Sequence, residues 1–313
     1  MTSTTATATA TAARPYEAKL GIVTGGSRGI GAAVAARLAA KGCNLLLVYT
    51  SSSSTQLSQQ LCGELSSAHG IQCSHVQADL GSPAEAAPKI VDAARALFAG
   101  YSPAGKPFQV DILINNAGVA SNQHLNDARR GPIQADEFTR VYTVNVLAPL
   151  LLTQAVAPFL PTDRSGRVVS VSSVSSSIGY QGQSVYAGSK AAVEAMTRTW
   201  SRELAARATV NAVNPGPAWS DMYVDVGQTF WDINQPYVDA APLAQYDGEP
   251  EALAAAGSDA ERFDRIVRGS MGGRRPGFTS EIAGTIDMLC SAESGWTTGS
   301  VICANGGMKM SIA

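Results

Sequence analysis

From Leu20 onward the chain alternates short apolar runs with longer amphipathic ones, and this rhythm leaves few folds open. Strands are expected at Leu20–Thr24, Asn44–Tyr49, Ile71–Val76, Val110–Ile114, Arg167–Ser172, Thr209–Asn214 and Ser300–Ala304. Helices are expected between them, at Ile30–Lys41, Thr55–Ala68, Ala84–Ala99, Asp136–Leu160, Ser184–Ala208 and Ser280–Ala292. Repeated strand–helix alternation calls for right-handed crossovers, which build a parallel sheet with helices on both faces. The near-continuous apolar segments Leu45–Val48 and Asp111–Ile114 fit strands buried on both sides. With 313 residues the chain is about twice the ~150-residue norm for a domain, yet α/β sheets often absorb that length as one unit. The expectation is one α/β domain over residues 18–313, a Rossmann-type doubly wound parallel sheet of about seven strands.

Two regions break the rhythm. Gly100–Gln109 is a turn-rich loop. Residues 222–277 are long, rich in Ala, Gly, Pro and acids, and carry Tyr223, Phe230, Trp231 and Tyr237 near their start. A loop of that length inside a compact domain usually serves as a lid or binding element, so 222–277 reads as a substrate-binding insert. Residues 1–17 read as a disordered tail. Their Thr/Ala/Ser run has no hydrophobic segment of the kind a secretory signal needs.

Composition excludes several classes of function. Hydrophobic residues make up 45% and charged residues 15%, which suits a core-rich globule. The net charge of −2 and the lack of any lysine/arginine run argue against a nucleic-acid or anionic-membrane partner. No stretch reaches the ~18 consecutive apolar residues of a membrane span. Five scattered cysteines with no C-x-x-C spacing fit reduced thiols in a cytoplasmic protein. The three histidines pair with no other ligand type at metal spacing, so no metal is expected.

Between the first strand and first helix lies Thr24-Gly-Gly-Ser-Arg-Gly-Ile-Gly31. Glycines at 25, 29 and 31 permit a tight turn and bring backbone N–H groups and a helix N-terminus against a pyrophosphate. Gly25, Ser27, Arg28, Gly29, Ile30 and Gly31 are therefore candidate dinucleotide ligands. An acid at the end of the second strand would bind the 2′-hydroxyl of NAD and repel a 2′-phosphate. Here that strand ends in Tyr49-Thr50-Ser51-Ser52-Ser53-Ser54, without a carboxylate. Arg28 adds a bidentate cation, so NADP(H) is the expected cofactor, with Thr50, Ser51 and Ser52 beside its phosphate.

Tyr186 and Lys190 sit at i and i+4 of an expected helix, so hydroxyl and ammonium share one face. A nearby cation favours phenolate and suits tyrosine to acid–base work. Ser173 follows an apolar strand at its carboxyl end, where ligands of open α/β sheets bind, and its hydroxyl is placed to bond a carbonyl. Its neighbours Ser172, Ser175, Ser176 and Ser177 leave the choice of serine to its spacing from Tyr186.

Thr24–Gly31, Asn115-Asn-Ala-Gly118, Asn145, Ser173, Tyr186 with Lys190, and Asn214-Pro-Gly-Pro217 occur together in the order found in short-chain dehydrogenases/reductases. From about Ala18 to Met308 the chain resembles that family. The resemblance implies a catalytic tetrad of Asn145, Ser173, Tyr186 and Lys190. Tyr186 would exchange the proton with the carbonyl oxygen, and Lys190 would bind the nicotinamide ribose and lower the tyrosine pKa. Ser173 would polarise the carbonyl, and Asn145 would hold a relay water. It further implies that Asn116, Ala117 and Gly118 pack the adenosine ribose and that Asp79, with Leu80, meets the adenine. Pro215, Gly216 and Ser220 would form the nicotinamide loop, Ser220 standing where the family often has threonine.

The serine-rich second-strand end and the Ala/Thr start resemble fungal ketoreductases of secondary metabolism. That likeness implies a bulky, polyketide-like ketone, with Tyr180, Trp219, Tyr223, Phe230 and Trp231 as candidate pocket walls. A homotetramer, or failing that a dimer, is expected through the two long helices, which are more apolar than one buried face requires. The alternative to a hydride-transferring oxidoreductase is an NADP(H)-binding protein with a non-redox role, an isomerase, cyclase or cofactor sensor. A sensor has no use for an acid–base relay, which favours the oxidoreductase.

Overall fold

The structure, a computed structural model, describes residues 14–310. Seven parallel strands form the central sheet: β1 (Leu20–Thr24), β2 (Asn44–Tyr49), β3 (Cys73–Gln77), β4 (Ile112–Asn115), β5 (Gly166–Val171), β6 (Ala208–Pro215) and β7 (Val301–Ala304). Their spatial order is β7-β6-β5-β4-β1-β2-β3. The order reverses between β1 and β4, and the crevice at the carboxyl ends of those strands is where such sheets take ligands. Register is set by burial: Ile22, Leu46 and Leu113 face one side, Val23, Leu45, Leu47 and Ile114 the other.

Helices α1 (Gly29–Ala40), α2 (Thr55–His69), α3 (Pro83–Tyr101), α4 (Ala135–Phe159) and α5 (Ser184–Glu203) cover the two faces. The last helix, Thr279–Cys290, packs on α1 through Ile282 and Ile286 against Val34 and Leu38. Across the sheet, Ile90 and Val91 of α3 meet Leu152 and Val156 of α4. Each of these fully buried aliphatic side chains is worth about 1.5–3 kcal/mol. By length and composition α4 is apolar enough to cross a membrane. The sequence criterion, an unbroken apolar run, passed over it. Its packing against α3 is that of a core helix, while Phe138 and Leu147 stay exposed on its outer side.

Strand ends differ from the sequence expectation by one or two residues, as strand and helix ends commonly do. Two larger differences matter. Of the expected tail, residues 1–13 lie outside the described residues, but Arg14–Glu17 form a turn with Tyr16 buried, 1% exposed. The Tyr16 hydroxyl donates to Asp287 Oδ1 at 2.9 Å, which ties the start of the domain to the last helix.

The second difference is the insert. Residues 222–277 hold α6 (Gln228–Asp239), α7 (Pro250–Ala256) and α8 (Ala260–Ser270) rather than a loop; the last helix is accordingly α9. Phe263 and Val267, one turn apart on α8, join Trp231, Tyr246, Met271 and Phe278 in a small core of their own. The Phe263 ring stands edge-on to Trp219 at 4.9 Å and to Tyr246 at 5.2 Å. A two-residue parallel ladder, Ala218–Trp219 against Gly277–Phe278, closes the neck of the insert.

Candidate active site

At the switch point the main chain does most of the building. Gly25 and Gly29 take left-handed φ values of +63° and +56°, where glycine is strongly favoured. A Cβ on Gly31 would lie 2.2 Å from the Gly25 carbonyl oxygen, so α1 can press against the turn only through a glycine. Thr24 Oγ1 accepts from the backbone N–H of Asn116 (2.9 Å) and Ala117 (3.0 Å). Asn116 Nδ2 donates back to the carbonyls of Thr24 (2.8 Å) and Gly25 (3.2 Å). The ends of β1 and β4 are thus stapled together below a bed of amides. Arg28 Nη2 donates to Ser54 Oγ at 3.0 Å, holding the guanidinium beside the end of β2.

The chemical end is built on α4, α5 and the turn after β5. Helix α4 widens to a π-turn at Thr143–Leu147, a local change that often marks functional positions. At its centre the buried Asn145 exchanges two bonds with Val119, Nδ2 to its carbonyl (2.9 Å) and N–H to Oδ1 (2.8 Å), and donates to Ser189 Oγ (3.0 Å). Asn145 therefore clamps the loop after β4 to α5. Lys190, buried at the cavity floor, donates from Nζ to the Val171 carbonyl at 2.8 Å and lies 5.7 Å from the Tyr186 ring centre. A Cβ on Gly118 would come within 3.2 Å of Lys190 Nζ and of Asn145 Oδ1, which explains a glycine there.

Burial lowers the Lys190 ammonium to about 8, against the pull of Glu194, which favours the cation. Burial raises the Tyr186 phenol, and a hydrogen bond with Ser173 partly offsets the rise. Desolvation is the main influence on the Tyr186 phenol here, and Lys190 Nζ is engaged by the Val171 carbonyl. Tyr186 is thus a protonated donor at neutral pH. The neighbouring serines differ in their partners. The Ser172 hydroxyl is spent on Glu194 (2.6 Å), whereas Ser173 Oγ reaches Ser175 Oγ (3.1 Å) and shares the cavity floor with Tyr186.

Residues 19–230 match the family model described as short chain dehydrogenase. The chain belongs to the short-chain dehydrogenase family. It is 71% identical over 303 residues to an L-xylo-3-hexulose reductase of Hypocrea jecorina, covering 96% of this chain and 100% of that one. It is 54% identical over 299 residues to an L-xylulose reductase of Aspergillus niger, covering 95% and 99%. Among solved structures it resembles a blue fluorescent protein from a metagenomic library in complex with NADPH. That likeness has a TM-score of 0.74 at 29% identity and covers 94% of this chain and 99% of the other.

In this member of the family one cavity of about 760 Å³ runs from the phosphate turn to the insert. Gly25, Ser27, Arg28, Gly29, Ile30, Thr50, Ser51, Asn116, Ala117, Gly118, Pro215, Gly216 and Ser220 line it as expected, and so do Ser173, Tyr186 and Lys190. Tyr180, Trp219, Tyr223 and Phe230 form walls towards the insert. Six expected residues do not reach its surface. Gly31 and Asn145 act behind it, as described. Ser52 opens an exposed 3-10 turn, and Ser54 faces Arg28 in its place. Asp79 caps its own turn, accepting the Gly81 N–H at 2.9 Å, and Leu80 packs into the core under α3. Trp231 is 8% exposed and donates from Nε1 to the Tyr223 carbonyl at 3.0 Å, pinning the insert rather than facing the cavity.

Sequence reasoning passed over the polar wall. Ser175 Oγ donates to Gln183 Oε1 (2.6 Å), and Gln183 Nε2 donates to Asn122 Oδ1 (2.8 Å). All three line the cavity, as does Asn234 of α6. Gln183 immediately precedes α5 and stands three residues before Tyr186, a position that could have flagged it.

Proposed function

We propose that this chain is an NADP(H)-dependent reductase of a keto sugar, of the class of L-xylo-3-hexulose. The observation that carries the reading is its 71% identity to a reductase of that name along that protein's whole length. The polar wall of Ser175, Gln183, Asn122 and Asn234 supports it, because a hydroxyl-rich chain can exchange hydrogen bonds with those side chains and an apolar ketone cannot. The aromatic walls Tyr180, Tyr223 and Phe230 are what a bulky polyketide-like ketone would use. They also pack on one another edge-to-face, and that structural duty accounts for them without a flat substrate.

The residues present fit a dinucleotide: a turn that strongly favours glycine, a helix N-terminus beneath it, and Arg28 beside a second strand that ends without an acid. Gly25–Ile30 would hold the pyrophosphate and Arg28, Thr50 and Ser51 the 2′-phosphate. When bound, NADPH supplies the hydride. Ser173 and Tyr186 hold the carbonyl oxygen, and the Tyr186 hydroxyl gives it a proton as charge develops there. Lys190 keeps a cation beside that tyrosine below about pH 8. In the reductive direction kcat/KM should therefore fall as the pH rises through that value. We place the enzyme in the cytoplasm as a homotetramer joined through α4 and α5; a monomeric mass in light scattering would count against the assembly.

The test is NADPH oxidation by the purified protein with L-xylo-3-hexulose, L-xylulose and a set of aromatic ketones. A ketose turned over at least tenfold more efficiently than any aromatic ketone is expected. The reverse ranking restores the bulky-ketone reading, and tight NADPH binding with no turnover on any carbonyl points to a non-redox role. Arg28→Ala should narrow the preference for NADPH over NADH by about tenfold, the worth of a charge-assisted bond.

A further inference from the structure

Four residues after Lys190, one turn along α5, the half-buried Glu194 receives three donors on a single oxygen. Ser172 Oγ donates to Oε1 at 2.6 Å, Ser176 Oγ at 2.7 Å and Asn214 Nδ2 at 3.0 Å. A carboxylate only accepts, so the protons of both hydroxyls and of the amide must point at it. The same Asn214 Nδ2 donates to the backbone carbonyl of Ser173 at 3.0 Å. Asn214 Oδ1 is meanwhile buried with no partner among the described residues. Turning the amide over would give Oδ1 the place of Nδ2, opposite two acceptors, Glu194 Oε1 and the Ser173 carbonyl. The carboxylate thus fixes which way Asn214 faces, at the expense of its other end.

Three elements meet at this one oxygen: the end of β5 through Ser172, the turn carrying Ser173 through Ser176, and β6 through Asn214. Ser173 is held from both sides of its own peptide, and its hydroxyl, which meets Ser175 Oγ at 3.1 Å, lies on the cavity floor with Tyr186. We propose that Glu194 is the positioning residue of the catalytic serine, anchoring the Ser172–Ser176 turn so that the Ser173 hydroxyl faces the substrate carbonyl. Glu194 itself does not line the cavity. It acts through Ser173, and its charge additionally favours the Lys190 cation one turn away. The inference rests on Ser173 and Tyr186 being the reacting pair, not on the substrate being a sugar.

The experiment is a double-mutant cycle on the full chain, using any carbonyl the wild type reduces, sugar or not. A failure of the keto-sugar reading therefore leaves it intact. Glu194→Ala should lower kcat by about 10–100-fold, while KM for the carbonyl and the NADPH Kd, read by fluorescence titration, move less than about threefold. Glu194→Gln keeps an oxygen acceptor and should retain activity within about fivefold of wild type. In a Ser173→Ala background Glu194→Ala should cost less than about threefold more, because both changes remove the same contact. A folded Glu194→Ala protein with kcat within twofold of wild type overturns the proposal, as do losses that multiply in the double variant. If Glu194→Ala does not fold, Glu194→Ser, too short to reach the three donors, takes its place. Its loss must then vanish in the Ser173→Ala background, and a loss that persists there overturns the proposal.

Discussion

The two ends of the cavity are made of different material. At the cofactor end, the turn from Thr24 to Gly31 presents backbone, and its glycines are fixed by φ and by a 2.2 Å approach that no side chain survives. At the substrate end, the insert presents side chains held by an aromatic nucleus around Phe263, 0% exposed. Main-chain recognition leaves little freedom, since every amide is placed by the sheet and the helix behind it. Side-chain recognition is adjustable, since a nucleus of similar volume can carry different walls. The contrast fits a family in which one cofactor site serves many substrates.

The catalytic floor between the two ends should show the largest effect and the sharpest separation from both. Tyr186→Phe removes the donated proton but keeps the ring. It should lower kcat by about a thousandfold while NADPH affinity and thermal stability stay near wild type. A loss of NADPH binding of similar size would mean that the hydroxyl belongs to the cofactor end, and the division would fail.

Next in size is the nucleus of the insert. Phe263→Ala should cost about 3–5 kcal/mol where the insert unfolds with the body. If the ends are independent, the insert loosens first, so that KM for the carbonyl rises well before NADPH affinity falls. Hydrogen exchange resolved along the chain would show α6 to α8 opening ahead of β1 and α1. Equal loss of protection in both regions would show one cooperative unit and break the comparison.

The same division governs what could be read from the sequence. Strands β1, β2 and β4 were legible because continuous apolar runs admit little else, and the glycine turn because its geometry depends on residue type alone. Tyr186 and Lys190 were legible as an i, i+4 pair. The insert was not. The helical spacing of Phe263 and Val267 is short and set among charges, and it is flanked by Gly248, Gly257 and Gly272. Trp231 shows the limit most clearly: nothing in its sequence position says whether an indole faces a cavity or holds a neighbour's carbonyl. Asp79 is a different case, since a resemblance supplied its role while its Oδ1 accepts from Gly81 two residues along the chain. The polar wall was missed because Ser175, Gln183 and Asn122 lie far apart in sequence and carry no common pattern.

The smallest expected effect discriminates most finely between the two ends. Trp231→Phe keeps most of the ring volume at the edge of the insert core and deletes one bond, Nε1 to the Tyr223 carbonyl. A single neutral hydrogen bond of this kind is worth about 1 kcal/mol. Tyr223 lines the cavity, and its backbone would lose the anchor that sets the wall. The indole reaches neither the cofactor end nor the floor, so the loss should appear as a rise of about fivefold in KM for the carbonyl. Both kcat and NADPH affinity should be unchanged. Should kcat fall instead with KM fixed, the wall would be positioning the carbonyl in the transition state, and the insert would share in the chemistry assigned to the floor.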